Sequence, residues 1–441
     1  MPEYASIIQL SIGSKSSIAI IQEHFSLRGP HKMGKFIVSL SVIFISLLNV
    51  TGLRLINKVA IVGSGTAGLG LAAALKQLQS GVTDITVFES RLDFLQSNIG
   101  GGVQLSGGAA VLEKMGCLPA VERTAHRMKA VRSRNSYGTE LLQLDVLASV
   151  NEKAKKELCA NDGRGEPMVF SIMRDALQHI LHNATQTQFL NSNKGVWSNE
   201  DIDVKPLIDS EGAVVHIKAG KKCVGVTENE STGTVCLNFE DGSMEDGYDM
   251  VFGADGVGSA LRQFTAFKED TLISPLIEPY FSDMQAKSGL VKADGKRYTG
   301  LRITYGITPV DNSFVLRAGG ENTFHQWFGS GCYALTASYG GLKGIQHMIA
   351  VVYRDDRDSP QGENAAWNGD KNIGFVNTKK DVFNRLEKAG LSSNREIKTL
   401  LDACETDRFI DLGVRDTTVP LRGWSSTSGR VVLIGDSAHA M

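Results

Sequence analysis

The glycine-rich segment GSGTAG at 63–68 follows the apolar run Val59–Val62 directly, and Leu69–Gln79 then has helical spacing. In a strand–turn–helix context, the first glycine permits a tight turn. The second lets a pyrophosphate approach the backbone, and the third lets the helix pack on the strand. Free N–H groups and the dipole at the helix N-terminus favour such an anion. Glu89, 21 residues after Gly68, ends a second predicted strand, where a carboxylate accepts hydrogen bonds from ribose hydroxyls. The pattern predicts a dinucleotide site, and the alternative is a glycine-rich turn in an ordinary βαβ unit.

Two later apolar strands also end in glycine beside an acid. The stretch Asp249–Phe252 runs into GADG at 253–256 and then into a predicted helix, and 430–434 runs into Gly435 and Asp436. Taken alone, Asp255 is better explained as a helix N-cap. Together with the strand before GSGTAG, however, three such strand ends predict one common sheet edge. Ligands bind outside the carboxyl ends of parallel strands, so this edge is the predicted binding site.

The order of the three motifs resembles the class A flavoprotein monooxygenases, which include aromatic-ring hydroxylases, salicylate-hydroxylase-like enzymes and zeaxanthin epoxidases. GSGTAG with Glu89, GADGVGS with Arg262, and GDSAHAM follow one another within residues 58–441. The resemblance identifies no catalytic side chain and no metal ligand, and His439 in the last motif is better explained by packing or capping. It implies non-covalent FAD, bound by Gly63, Gly65, Thr66, Ala67, Gly68, Glu89, Arg174, Asp255, Gly256, Gly435 and Asp436.

The resemblance also implies a reaction. NAD(P)H would reduce the FAD, and the reduced enzyme would use O₂ to hydroxylate or epoxidise an apolar or aromatic small molecule. The cofactor carries out the redox chemistry. The protein positions the reactants, excludes water and supplies charged groups. One alternative is another FAD oxidoreductase on the same fold, such as a reductase or a halogenase, although the halogenase pattern Trp-x-Trp-x-x-Ile is absent from the sequence. The other alternative is a catalytically incomplete member of the family.

Two departures from the family pattern favour an incomplete member. Family members continue past GDSAHAM with a proline, a glycine-rich loop and a helix that faces the flavin, whereas this sequence stops at Met441. At Ser106–Gly108 the family often has Pro-Asn, and this sequence has Gly-Gly. The comparison with the family pattern therefore predicts a chain truncated at its C-terminus.

Composition excludes some classes of protein. A formal net charge of −2 gives no electrostatic support for general nucleic-acid binding. The six cysteines form no CxxC pair, so neither a zinc site nor a thioredoxin-like motif is indicated. The chain of 441 residues is long for one domain, and two domains are expected.

Residues 36–53 carry no charge over 18 positions and follow a basic stretch that contains Lys32 and Lys35. This length lies between that of a membrane span and that of a signal-peptide core. The segment predicts a membrane-associated protein, with a transmembrane helix, or one targeted through the secretory route. The alternatives are a buried apolar segment and a wrongly assigned upstream exon, which would leave the protein cytoplasmic.

The predicted fold class is α/β, with a Rossmann-like FAD-binding domain and a smaller, β-rich substrate domain inserted into it. A glycine-rich loop at 98–108 is explained equally well by the close approach of a ligand and by a simple turn. The predicted domains are an N-terminal extension at 1–54, a discontinuous FAD-binding domain at 55–274 and 405–441, and a substrate domain with connecting helices at 275–404. In the substrate domain, strands are predicted at 301–310, 313–318, 332–338 and 348–353, and helices at 384–390 and 395–404.

Overall fold

A computed structural model describes residues 55–78, 80–95, 101–146, 169–186, 213–265, 296–309, 322–354, 375–404, 409–417 and 424–440. Contacts between Cα atoms divide the chain after Arg54, so all of these residues lie in one compact unit, 55–441. The apolar segment at 36–53 lies outside the described residues. Within the ranges given above, no helix is both long enough and apolar enough to cross a membrane.

The described residues form strands, helices and one 3-10 turn. The strands are β1 (Lys58–Val62), β2 (Asp84–Glu89), β3 (Gly102–Leu105), β4 (His126–Arg127), β5 (Ala130–Asn135), β6 (Glu140–Asp145), β7 (Phe170–Met173), β8 (Val214–Ala219), β9 (Cys223–Asn229), β10 (Thr234–Phe239), β11 (Met244–Tyr248), β12 (Met250–Gly253), β13 (Lys296–Ile307), β14 (Thr323–Phe328), β15 (Cys332–Gly341), β16 (Gly344–Arg354), β17 (Phe409–Thr417) and β18 (Val431–Leu433). The helices are α1 (Thr66–Gln77), α2 (Gly107–Lys114), α3 (Leu118–Thr124), α4 (Arg174–Gln186), α5 (Phe375–Lys388), α6 (Arg395–Ala403) and α7 (Asp436–His439), and a 3-10 turn spans Leu261–Phe264.

The first sheet is parallel, with the strand order β18-β12-β1-β2-β8. Its central strand β1 is buried on both faces, as the continuous apolar run predicts for a parallel strand. Alternate side chains point to opposite faces. Ala60 and Val62 pack with the small antiparallel sheet β11-β10-β9, whereas Val59 and Ile61 pack with α1. The glycine motif therefore follows a strand that is fixed from both sides.

The second sheet has the order β17-β13-β16-β15-β14-β5-β6, and β3, β4 and β7 join it beside β15. One face packs against α1, α2, α3 and α4 in a core that includes Ile172, Leu177 and Tyr339. The other face packs against α5 and α6 through a core that includes Trp327 and Leu386. This sheet thus lies between two layers of helices, and the first of these layers also belongs to the nucleotide-binding half.

The second sheet reaches beyond the predicted substrate domain at 275–404. β14 pairs with β5, and β13 pairs with β17, so chain segments on both sides of that range supply strands. Long-range strand pairing of this kind leaves no local signal, and the division into two domains stays a prediction. Within the range, the strands predicted at 301–310, 332–338 and 348–353 correspond to β13, β15 and β16. The two predicted helices correspond to α5 and α6, and the strand predicted at 313–318 lies outside the described residues.

Candidate functional site

The carboxyl ends of four parallel strands form one edge of the first sheet. β1 pairs with β2 and with β12, and β12 pairs with β18. Backbone hydrogen bonds continue past the strand ends: Gly63 N donates to Phe88 O at 2.7 Å, and Ile434 N donates to Gly253 O at 2.9 Å. The three motifs that were predicted to share a sheet edge therefore do so.

The GSGTAG motif forms the turn between β1 and α1. Gly63 has a φ of +102°, and a Cβ at this residue would overlap the carbonyl oxygen of Ala254. A Cβ on Gly68 would overlap the carbonyl oxygen of Gly63, so both positions require glycine. Gly65, in contrast, is the N-cap of α1, and a Cβ there would meet no atom within 4 Å. The N-terminus of α1 has no side-chain cap among the described residues, and it opens into this space.

Glu89 ends β2 with its side chain buried. Its Oε2 accepts from the backbone N and the hydroxyl of Ser64, at 3.0 and 2.6 Å. Its Oε1 accepts from Ser90 Oγ at 3.1 Å and from Arg91 N and Nε at 2.9 and 3.1 Å. Burial alone would raise the pKa of Glu89, but the hydrogen bonds from Ser64 and Arg91 outweigh burial and lower the pKa to about 2. Glu89 is therefore a carboxylate at neutral pH.

Asp255 follows β12, and each of its carboxylate oxygens accepts a hydrogen bond from the protein. Oδ2 accepts from Ala260 N at 2.7 Å, as a capping carboxylate does. Oδ1 accepts from Ser437 Oγ at 3.1 Å, and the same hydroxyl accepts from Gly256 N at 2.8 Å. Ser437 thus ties the second motif to the third. The direct contact of Asp255 and Gly256 with a cofactor stays a prediction.

Arg262 makes a second link between the same two motifs. Its side chain is buried, and its Nε and Nη2 donate to Ser437 O at 3.0 and 2.9 Å. Nη1 donates to Val257 O at 3.1 Å. The sequence identified Arg262 only as part of a motif. Its role could not be found there, because nothing local shows that a guanidinium on this turn is buried against a segment 175 residues away.

Gly435 brings the third motif against the first. It has a φ of +57°, and a Cβ on this residue would lie 2.7 Å from Cβ of Ala67. Thr66 and Ala67 are the first two residues of α1. The predicted cofactor contacts Thr66, Ala67 and Gly435 are therefore neighbours at one end of a single helix.

Two of the four charged residues predicted to contact the cofactor lie at helix starts. Asp436 begins α7 and Arg174 begins α4, and both side chains are exposed. His439 is also exposed, and its ring centroid lies 5.8 Å from that of Trp424. This contact agrees with the packing explanation for His439.

A residue that the sequence analysis missed joins α4 to the glycine turn. Gln178 Nε2 donates to Ser64 O at 2.8 Å, and both residues are buried. Gln178 is four residues after Arg174, so the two lie on the same side of α4. The sequence offers one signal, a polar residue among the apolar positions of an amphipathic helix, and that signal does not identify the partner.

The described part of the glycine-rich loop at 98–108 packs against the second sheet. A Cβ on Gly102 would overlap the ring of Tyr339. A Cβ on Gly101 would lie 2.9 Å from Sδ of Met348 and 3.5 Å from the ring of Tyr305. At these two positions the close approach is to aromatic and methionine side chains, so packing within the protein explains the glycines.

A separate group of titratable side chains lies between the second sheet and α6. Arg134 Nη1 is 2.8 Å from His325 Nδ1, and because arginine has no acceptor, Nδ1 accepts. His325 Nε2 lies 3.7 Å from Glu396 Oε1, which also accepts from Thr336 Oγ1 at 3.3 Å. Burial raises the pKa of Glu396 to about 7, although the positive charge of Arg134 acts to lower it. This cluster lies on the sheet face that packs against α5 and α6, away from the three motifs.

The groups at the sheet edge fit the adenosine and pyrophosphate parts of FAD. The uncapped N-terminus of α1 and the open space beside Gly65 suit a pyrophosphate. Glu89 is ionised at the end of β2, where a ribose is expected. A ribose hydroxyl can replace the bonds from Ser90 or Arg91, since both of these residues reach solvent.

Comparisons with known proteins identify relatives of this chain. The sequence matches no protein-family profile. It is 28% identical over 389 residues to a 3-amino-4-hydroxybenzoate 2-monooxygenase of Streptomyces platensis, covering 87% of this chain and 74% of that protein. A similar enzyme of Streptomyces cremeus is 25% identical over 385 residues, covering 87% and 72%. An FAD-dependent monooxygenase of Penicillium roqueforti is 26% identical over 399 residues, covering 87% of this chain and 39% of that protein.

Solved structures show the same fold at lower identity. Klebsiella pneumoniae HpxO, solved with FAD and uric acid, has a TM-score of 0.56 at 17% identity and covers 87% of this chain and 74% of its own. The tetrameric form of 2-methyl-3-hydroxypyridine-5-carboxylic acid oxygenase has a TM-score of 0.53 at 18% identity, covering 87% and 76%. The predicted fold class is confirmed. The resemblance to FAD-dependent monooxygenases, and the enzyme class that it implies, are confirmed as well.

Proposed function

We infer that this protein, a relative of the class A FAD-dependent monooxygenases, uses NAD(P)H and O₂ to hydroxylate a small aromatic molecule. One observation carries the proposal: three strand-end motifs, far apart in sequence, meet around the uncapped N-terminus of α1. The hydroxybenzoate monooxygenases of Streptomyces supply the reaction type. Aromatic hydroxylation is favoured over epoxidation, because these relatives act on an aromatic ring.

The chain's own residues would bind and orient the cofactor. When bound, FAD supplies the hydride acceptor and the centre at which O₂ is activated. The α1 N-terminus beside Gly65 would receive the pyrophosphate, and Glu89 would accept hydrogen bonds from the ribose. Asp436 and Arg174 are exposed charges at the starts of α7 and α4. They would bind the polyol and phosphate oxygens, respectively.

The second sheet offers a place for the substrate. β17 packs beside α7, so this sheet lies next to the third motif. Ile303, Tyr305, Ile410 and Leu412 belong to, or pack against, the core cluster on the sheet face directed at α1 and α4. An apolar surface with one phenol suits an aromatic substrate, since the phenol can orient it and the apolar residues exclude water.

The proposal is tested with purified full-length protein. Flavin absorption that persists through gel filtration would show FAD binding. NADH and NADPH oxidation and O₂ uptake are then measured with and without 3-amino-4-hydroxybenzoate, and products are analysed by mass spectrometry for one added oxygen atom. We expect the aromatic compound to stimulate O₂ uptake with one of the two nucleotides and to gain a hydroxyl group.

Other outcomes would select the alternatives. Flavin binding with nucleotide oxidation, but with no oxygenated product across a panel of aromatic acids, would indicate an FAD reductase. A protein that remains colourless after incubation with FAD would indicate a catalytically incomplete relative. Either result overturns the monooxygenase proposal.

We also propose that residues 36–53 target the protein to a membrane or to the secretory route. The proposal rests on the uncharged length of this segment and on the basic residues before it. A fusion of residues 1–54 to a fluorescent reporter should fractionate with membranes or be secreted. A matched fusion in which Ile43 and Leu47 are each replaced by Asp should remain cytosolic. Equal cytosolic fractions for both fusions would contradict the proposal.

A further inference from the structure

The buried hydrogen-bond chain Gln178–Ser64–Glu89 joins α4, the glycine turn and the end of β2. Gln178 Nε2 donates to Ser64 O at 2.8 Å, and Ser64 N and Oγ donate to Glu89 Oε2 at 3.0 and 2.6 Å. All three residues are buried, with 6%, 0% and 5% of their surface exposed. Each polar group of Ser64 is therefore committed to a partner that does not belong to the turn itself.

The bond from Gln178 determines how one peptide group of the turn is oriented. The carbonyl of Ser64 and the N–H of Gly65 belong to the same planar trans peptide, so they point in opposite directions. Because Gln178 holds the carbonyl on the α4 side, the N–H of Gly65 is directed away from α4. Gly65 borders the open space at the N-terminus of α1. The rotation of this peptide depends on ψ of Ser64 and φ of Gly65, and because Gly65 has no Cβ, its φ is weakly restricted when nothing holds the peptide.

We propose that Gln178 is a positioning residue for FAD: by fixing the Ser64–Gly65 peptide, it presents the Gly65 N–H to the pyrophosphate and keeps Ser64 bonded to Glu89. This inference rests on the proposed FAD-binding function. It assigns a role to a residue of α4 that lies 114 positions from the turn and outside the three motifs. Gln178 contacts the turn directly and would act on the cofactor only through it.

The chain contains a matched control for this role. Gln77 is also buried, and its Nε2 also donates to a backbone carbonyl at 2.8 Å, that of Ala184. This bond likewise joins α1 to α4, but at the far end of α1 from the glycine turn. Loss of either bond is expected to weaken the packing of the two helices, whereas only loss of the Gln178 bond should change the turn.

The test compares wild type, Gln178→Leu, Gln178→Met and Gln77→Leu, all as full-length protein. FAD dissociation constants are measured by quenching of flavin fluorescence, and unfolding is followed by circular dichroism. Gln178→Met keeps the length and approximate volume of the side chain, but the thioether has no N–H to donate to Ser64 O and adds no charge. We expect the dissociation constant to rise by about tenfold or more in both Gln178 variants, which corresponds to one lost hydrogen bond. In Gln77→Leu it should rise by about twofold at most, despite a similar loss of stability.

The outcomes separate this inference from the proposed function. Wild type that does not bind FAD overturns both. Wild type that binds FAD, with the same affinity in Gln178→Met and in Gln77→Leu, overturns only the role of Gln178. If Gln178→Leu does not fold, Gln178→Met alone decides the question, because it better preserves the length and volume of the buried side chain.

Discussion

Three glycines near the start of α1 have different surroundings, so a methyl group at each tests a different property. Gly68→Ala should destabilise the fold by about 3 kcal/mol, the upper range for overpacking, because the methyl would overlap the carbonyl oxygen of Gly63. Gly65→Ala should leave stability nearly unchanged, since no atom lies within 4 Å of the new Cβ. It should still weaken FAD binding, because the methyl would fill the space predicted for the pyrophosphate.

Gly70→Ala is the control for this pair. Gly70 is in the same helix with nothing within 4 Å of its Cβ, so alanine should stabilise α1 by about 0.5–1 kcal/mol and leave FAD affinity unchanged. Urea unfolding and flavin titration measure the two effects separately. A Gly65→Ala protein that binds FAD as tightly as wild type would contradict the placement of the pyrophosphate.

Glu89 should contribute to both cofactor binding and stability. Glu89→Gln removes a charged acceptor, so FAD affinity should fall about 10- to 100-fold. The pKa of Glu89 is lowered from 4.5 to about 2, so the carboxylate stabilises the fold at neutral pH. At about 1.4 kcal/mol per pKa unit, this contribution is at most about 3 kcal/mol.

The sign of the pH dependence follows from that lowered pKa. The contribution of Glu89 is fully present above pH 4.5 and is lost as the pH falls toward 2. Urea unfolding between about pH 6 and about pH 3 should show wild type losing stability faster than Glu89→Gln. Parallel curves for the two proteins would mean that the hydrogen bonds from Ser64 and Arg91 do not stabilise the ionised form of Glu89.

At the scale of secondary-structure elements, Ser437 joins the start of α7 to the turn after β12. Ser437→Ala would leave Gly256 N without its acceptor and Asp255 Oδ1 without its donor. The protein should lose about 1 kcal/mol of stability for each lost hydrogen bond, because both groups are partly buried, and FAD affinity should fall as Asp436 is displaced. Thr427→Ala, in an exposed position of the turn before β18, is the control. Equal stabilities for the two variants would show that the link between the motifs is unimportant.

The contact between α6 and the second sheet should depend on pH through Glu396. Its pKa is raised from 4.5 to about 7 by burial, so the folded protein favours the protonated carboxyl. Stability is therefore lost as the pH rises from 4.5 through 7, by at most about 3 kcal/mol at about 1.4 kcal/mol per pKa unit.

Glu396→Gln should remove this dependence. The amide cannot ionise, so the variant should be more stable than wild type at about pH 8 and similar to it at about pH 4.5. Thermal unfolding across this range measures the difference. Because the cluster lies on the sheet face away from the three motifs, FAD affinity should not change with the substitution.

For the whole molecule, β3 is the first strand after β2 and joins the second sheet. A Cβ on Gly102 would overlap the ring of Tyr339, which is 2% exposed and cannot move into solvent. Gly102→Ala should therefore destabilise the protein by about 1–3 kcal/mol. Gly107→Ala, five residues later with nothing within 4 Å of its Cβ, should not. A single unfolding transition, shifted only in Gly102→Ala, would show that the two halves unfold together.

Local sequence patterns determined the nucleotide-binding unit of this protein. One βαβ unit contains the run Val59–Val62, the glycine spacing and the acid at Glu89. Within such a unit, neighbouring residues set the preferences for strand, turn and helix. The apolar strand ends at Gly253 and Leu433 predicted the common sheet edge for the same reason. Since each preference is local, each could be recognised without knowledge of the partners.

Only the tertiary structure shows which side chains support the common sheet edge and how far the second sheet extends. Gln178 contacts Ser64 across 114 residues of sequence, and Arg262 contacts Ser437 across 175. β5 pairs with β14 across more than 190 residues. Hydrogen-bond geometry and strand pairing at such distances depend on how whole elements pack. The partner of a buried glutamine or arginine therefore cannot be identified from the sequence. The physical reason is that a polar group is satisfied by whichever partner the fold places beside it.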